Sequence, residues 1–206
     1  MALRGGKPMP ILPRNNLLGT NANAAYLSVI VDGGNINTKR NAMEVVLTSN
    51  EIATIRVLSS MRVIANDAAR EFITDYKVSK TLTDEDMNFF GMVSEYAFCK
   101  KYNLFFDLSS KPRSGSYDCL YKGKRIDIKT TNHIEGRLIA KVAKKNTDVD
   151  VFVLAKFHPA IRTVEFVGWC TASELYKEAN IRDIGYGPTY VVENLNPMNE
   201  QGVEKR

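Results

Sequence analysis

Two histidines, three cysteines and one tryptophan are all that the 206 residues contain of those types, and the scarcity closes several chemistries. His133 and His158 stand far apart from each other and from any cysteine pair, which removes most of the ground for a zinc set, a His-based triad or a His general base. Both read as structural or surface residues. Cys99, Cys119 and Cys170 are odd in number and widely spaced, without a C-x-x-C pair. That usage suits free thiols in a reducing cytoplasm, two of them core-facing. No apolar run approaches the roughly 20 residues that a bilayer span requires. The N-terminal stretch MALRGGKPMPILPRNNLL carries three prolines and no apolar core of a signal peptide. The expectation is a soluble intracellular protein with no membrane partner and no internal repeat.

What is present describes an ordinary folding chain. The composition is 44% hydrophobic and 25% charged, far from the signature of disorder, and the length suits one domain, 1–206, with a sizeable core. Lys plus Arg number 28 against 23 Asp plus Glu, for a net charge of +5 and a pI near 9.0, which tilts the choice of partner toward a polyanion. Residues 1–40 are rich in Gly, Pro and Asn and read as an arm, with one short apolar run, Tyr26–Val31. Thr48-Ser49-Asn50-Glu51 caps an amphipathic pattern that predicts a first helix over about 50–74. Thr83-Asp84-Glu85-Asp86 opens a second helix that ends in Lys100-Lys101-Tyr102-Asn103. Strands are predicted at 117–121, 124–129, 137–141, 150–157 and 163–170, followed by a short helix capped at Thr171. The order, helices first and then a mostly antiparallel sheet, argues for one mixed α/β domain.

The two alternating runs around Lys122-Gly123 read as a β-hairpin. With an even-length loop, residues whose numbers sum to 245 lie opposite one another, so Asp118 faces Asp127. Alternation then puts Lys129 on that same face and sends Tyr117, Cys119, Tyr121, Ile126 and Ile128 to the other. Two opposed carboxylates repel unless solvent screens them or a cation lies between them. Two readings stay open here: a solvated face of an edge hairpin, or a divalent-metal pair with a lysine beside it. Glu95 interrupts the apolar stretch of the second helix. It is either a polar-face residue beside Ser94 or a third acid for the site.

Gly91-x-x-x-Glu95-Tyr96-Ala97-Phe98, then Asp118, then Ile126-Asp127-Ile128-Lys129-Thr130-Thr131, then Asp148–Leu154 and Phe166–Cys170 resemble the PD-(D/E)XK nuclease superfamily. The resemblance covers 84–176, and the order and spacing are similar to those of small bacteriophage-type nucleases. It implies a restriction-endonuclease-like core: a mixed, mostly antiparallel central sheet flanked by helices, here with an N-terminal arm and helix. It also implies catalytic roles for Glu95, Asp118, Asp127 and Lys129, and a Mg²⁺ ion, replaceable by Mn²⁺, on the three acids and the Ile128 carbonyl. The activity implied is hydrolysis of phosphodiester bonds, most readily in DNA, in the cytoplasm, which is the host's if the protein is viral. Tyr117 stands where the motif has Pro, and Thr130-Thr131 where some relatives carry Gln.

Lys111, Arg113, Lys122, Lys124, Arg125, Lys141, Lys144 and Lys145 are candidate phosphate contacts; for the first five a solubilising turn is an equal reading, and for Lys141, Lys144 and Lys145 a solvated face is the favoured one. Trp169 and Tyr186 carry rings suited to base stacking, although an apolar strand argues that Trp169 is core. The competing functions are a catalytically silent nucleic-acid-binding or scaffold protein with the same fold, and a junction-resolving or RNA-directed enzyme with the same chemistry. A homodimer is left open, and paired duplex cuts would require one.

Overall fold

Thr48 and Glu51 close the first turn of the first helix reciprocally. Glu51 N–H donates to Thr48 Oγ1 at 3.2 Å, and Thr48 N–H donates to Glu51 Oε2 at 2.7 Å, so two orphan donors of the helix start are satisfied. This helix, α1, covers Ser49–Ala69, and α2 covers Asp84–Lys101 with Thr83 as its cap. The computed structural model describes residues 43–69, 82–109, 117–133, 136–185 and 187–204, all within the unit spanning 37–206. The arm at 1–40, the Tyr26–Val31 run, the predicted helix beyond Ala69, and Lys111, Arg113 and Tyr186 lie outside them.

Among the described residues eight strands follow in chain order: β1 Met43–Val46, β2 Cys119–Tyr121, β3 Lys124–Thr131, β4 Leu138–Lys141, β5 Val151–His158, β6 Thr163–Thr171, β7 Ile181–Asp183 and β8 Pro188–Val192. The main sheet runs in the order β1-β6-β5-β3-β2. Only the β3–β5 pair is parallel. The hairpin is in the expected register, with Cys119, Leu120 and Tyr121 opposite Ile126, Arg125 and Lys124. Lys122 and Gly123 both take positive φ, 50° and 75°, as a two-residue turn matched to strand twist requires.

The main sheet is buried on both sides, so β5 opens with an apolar run, Val151–Ala155. On one face Ile126, Ile128, Val151, Val153, Val164 and Phe166 pack with Phe89, Met92, Val93, Ala97 and Phe98 of α2. On the other, Phe152, Leu154 and Cys170 pack with Leu138, Leu175 and Tyr190. The expected flanking by helices holds for the first face; the second is different. It is covered by a three-stranded antiparallel sheet, β4-β8-β7, and by the short α3, Ala172–Leu175. The predicted third strand, β4, belongs to this smaller sheet. The strands β1, β7 and β8 were not predicted. All three cysteines are buried, one more than expected. No described helix is long and apolar enough to cross a membrane.

Candidate active site

Backbone alternation fixes the surroundings of the Asp127-Ile128-Lys129 string. In the parallel ladder Asp127 sits beside Phe152 and Lys129 beside Leu154, so their side chains take the face away from α2, while Ile126 and Ile128 face the helix. Asp127 is only 8% exposed, and Lys129 Nζ lies 2.7 Å from its Oδ1. β3 is an interior strand with β2 on one side and β5 on the other. The reading of Asp127 as the solvated face of an edge hairpin therefore fails. Burial raises the Tyr176 phenol, and the nearby Asp127 charge adds to the rise, against a hydrogen bond involving Asn146 that lowers it.

Asp118 departs from the expected arrangement. The ladder slips at the open end of the hairpin, where Asp118 N–H donates to the Ile126 carbonyl at 2.8 Å. Its Oδ2 accepts the Ile128 N–H at 2.7 Å. Alternate main-chain groups of β3 point to alternate edges; those of Ile126 and Ile128 face β2, and those of Arg125 face β5, where its N–H and carbonyl meet Asp150. The Asp118 carboxylate therefore lies along the β2 edge, capping the next β3 donor, rather than standing opposite Asp127. The Ile128 carbonyl points to that same edge. The slip also explains Tyr117, expected to face the core and instead 38% exposed.

Glu95 comes from the helix side. It is 6% exposed and Ser94 is fully buried, so this is no polar helix face. Its Oε2 is 3.8 Å from Nη1 of Arg62 on α1, a residue the sequence reading passed over. Glu95 and Asp118 are both close enough to Cys119 to act on it. The Cys119 thiol is pushed well above its ordinary value by a hydrogen bond with the Cys99 thiol, by burial, and by the charges of Cys99, Asp118 and Glu95. Across the interior strand, Asp127 and Lys129 lie on the opposite face. Among the described residues, no three carboxylate, imidazole or thiol side chains converge closely enough to hold a metal ion.

The candidate phosphate contacts differ in their commitments. Arg125 makes a two-pronged pair with Asp150, at 3.0 and 2.9 Å, and lies 3.9 Å from Asp148. Its hydrogen bonds pull the Asp150 carboxyl down to about 2. Lys122 pairs with Glu204 at 2.7 Å, and Lys145 lies over the Tyr176 ring. Lys124 is exposed at the hairpin tip, and Lys141 is half-buried at the end of β4. Lys144 lies in a short 3-10 turn directly after it. Trp169 is 1% exposed and donates from Nε1 to the Pro197 carbonyl at 3.3 Å, so it packs in the core and is not a stacking platform. His133 is exposed, and His158 pairs with Glu165.

No family model, no curated protein and no solved structure matches this chain.

Proposed function

We propose that this chain is a metal-dependent nuclease of PD-(D/E)XK type, with a restriction-endonuclease-like core, that hydrolyses phosphodiester bonds, DNA being the favoured substrate. The observation that carries the reading is the buried Asp127 carboxylate, held at 2.7 Å by Lys129 at the open end of a hairpin whose partner strand is preceded by Asp118. A buried carboxylate costs desolvation that an apolar residue at this position would avoid, and the half-exposed Lys129 offsets that cost only in part. Nothing in the packing of β3 demands it, so a chemical role is the economical account.

The donor set is all oxygen, which suits a hard divalent ion such as Mg²⁺ or Mn²⁺. Asp118 and the Ile128 carbonyl, which share the β2 edge of β3, would hold it with Glu95 from the α2 side, whereas Asp127 lies on the opposite face of the sheet and would have to turn toward that edge to join them. When bound, such an ion makes a water acidic enough to serve as the nucleophile and neutralises charge on the phosphate. The chain's own residues do the rest. Lys129, with its side chain 42% exposed, carries positive charge from buried Asp127 toward solvent, where a phosphate oxygen or the attacking water would meet it. The Ile128 N–H fixes the orientation of the Asp118 carboxylate.

The test is cleavage of single-stranded, duplex and branched DNA and of RNA by the purified chain in Mg²⁺ or Mn²⁺. Product is expected from at least one substrate, and Asp127→Ala and Lys129→Ala should each lose it by about 10²-fold or more with an unchanged circular dichroism spectrum. Wild-type cleavage by either variant sinks the assignment. The second reading, a silent binding protein, is favoured by one observation: no three metal-ligating side chains converge among the described residues. Salt-sensitive DNA binding with no product at any Mg²⁺ or Mn²⁺ concentration would support it.

A further inference from the structure

Only one face of α1 is covered. Ile55 and Ser59 are buried, with Ile52 and Leu58 packed against the core around them. Ile64 follows Ile55 by nine positions on the same helix, which at 3.6 residues per turn is two and a half turns, so it points directly away from the core. It is 70% exposed, and Val57 and Met61 on the same side are 61% and 47% exposed. Leu108, 58% exposed, stands beside this helix, because the carbonyls flanking it, those of Asp107 and Ser109, accept from Arg62.

Single exposed apolar residues are ordinary on a protein surface, but these form a row. Thr54, Val57, Met61, Ile64 and Ala68 are all exposed, at spacings of three, four, three and four, which is the period by which one helix seats another. No charged residue falls on the row, so it offers a polyanion nothing to bind. With Leu108 it presents roughly 400 Å² of apolar surface, the size of the largest such patch on an ordinary monomer. Two copies of the face, counted with their small rim residues, would bury roughly 1,000 Å², the lower limit for a specific interface. The side chains run small, large, large, large, small, the same read from either end. A helix turned end for end therefore meets its own pattern, as a two-fold contact requires when residue i touches j and j touches i.

We propose that this face of α1 is a homodimer interface: a second copy of the chain lays its own α1 antiparallel across the row, with the two-fold axis beside Met61. The pairing stands apart from the nuclease reading. In a chain that also cuts, it supplies the second site that paired duplex cuts require.

Light scattering on the full chain at high salt, where nucleic acid cannot bridge copies, should give twice the 23.1 kDa chain mass in concentrated solution. The mass should fall toward that of a single chain on dilution through the micromolar range, as suits an interface near the lower size limit. Ile64→Glu should raise the dissociation constant by about 10²-fold or more, because the two-fold brings a carboxylate from each copy into one apolar contact. Its thermal unfolding in dilute solution should match wild type, since the position is exposed in the single chain. Met61→Cys introduces no charge and should link the two copies under copper phenanthroline, whereas wild type, whose three cysteines are buried, should not. Asn50→Cys should link poorly, because an antiparallel pair holds the two copies of position 50 about 30 Å apart. A wild-type chain that stays monomeric at every concentration overturns the proposal; if the Met61→Cys thiol of that monomer also resists alkylation, a segment of the same chain covers the face. A dimer that a folded Ile64→Glu variant leaves intact overturns it as well, and so does linking of Asn50→Cys as readily as Met61→Cys.

Discussion

Asp127 and Lys129 make a pair of unequal burial, the acid's side chain 11% exposed and the lysine's 42%. Removing the lysine leaves a carboxylate in a setting that does not hydrate it, whereas removing the acid leaves a lysine that water can reach. Lys129→Met should therefore destabilise the fold by about 1–2 kcal/mol, and Asp127→Asn by less than that, after allowance for screening at the exposed end. Urea unfolding of the two variants checks the order; a larger loss from Asp127→Asn would show that the pair is not what holds the lysine. The alternation of β3 made this face readable in the sequence, and the even two-residue turn made the hairpin register readable as well. Asp118 was expected opposite Asp127 and is not found there, because the ladder slips where Asp118 N–H shifts to Ile126 and its own carboxylate caps Ile128. Arg62 was invisible for another reason: within a periodic helix pattern a single arginine reads as polar-face decoration, and its partners, Glu95, Asp107 and Ser109, are 33 to 47 positions away.

Among the elements, the helix starts and the hairpin turn carry the clearest local signals, and they are also where substitutions act most predictably. Glu51 belongs to the first turn of α1 but also accepts from Lys100 Nζ at 2.9 Å and Tyr96 Oη at 2.8 Å on α2. Burial acts to raise its carboxyl, but the hydrogen bonds from Lys100, Thr48 and Tyr96 outweigh it and bring the value from 4.5 down to about 2. Because the folded-state value is the lower one, this contribution is complete above the unfolded value of 4.5 and drains away as pH falls toward about 2. Glu51→Gln should cost about 1–2 kcal/mol at neutral pH. The gap between it and wild type should close in melts taken from pH 5 down to 2, and a gap that persists at pH 2 contradicts the linkage. At the hairpin turn, Gly123 has φ 75° with open space around an added Cβ, so Gly123→Ala should cost about 1 kcal/mol from backbone alone. Gly202, at φ 81°, would set a Cβ 2.7 Å from the Tyr121 ring, and Gly202→Ala should lose more than Gly123→Ala in the same chemical melts. The three strands missed in the sequence share a physical cause. β1 is four residues long, and β7 is three residues, all exposed, so neither is long enough to show alternation. β8 opens with a proline, a residue that reads as turn or strand edge.

At the scale of the whole molecule, the net charge of +5 says less about nucleic-acid binding than where cations remain uncommitted. Arg125 is tied to Asp150 and Lys122 to Glu204; for either to meet a phosphate, it must first give up a carboxylate partner. Lys124, between them at the hairpin tip, is exposed and sits on the turn that joins the two strands of the proposed site. If duplex DNA follows the hairpin, Lys124 supplies one phosphate contact and releases about one counterion. Lys124→Ala should then weaken binding to every sequence alike and flatten the slope of log K against log salt by about 0.9. Lys122→Ala should leave that slope within error while lowering stability slightly through loss of the Glu204 pair. Anisotropy titrations of a labelled duplex at several salt concentrations, with Ca²⁺ in place of Mg²⁺ to hold the substrate intact, separate the two. Equal slopes for wild type and Lys124→Ala would move the nucleic-acid path off the hairpin tip, leaving Lys141, Lys144 and Lys145 after β4 as the next cations to change.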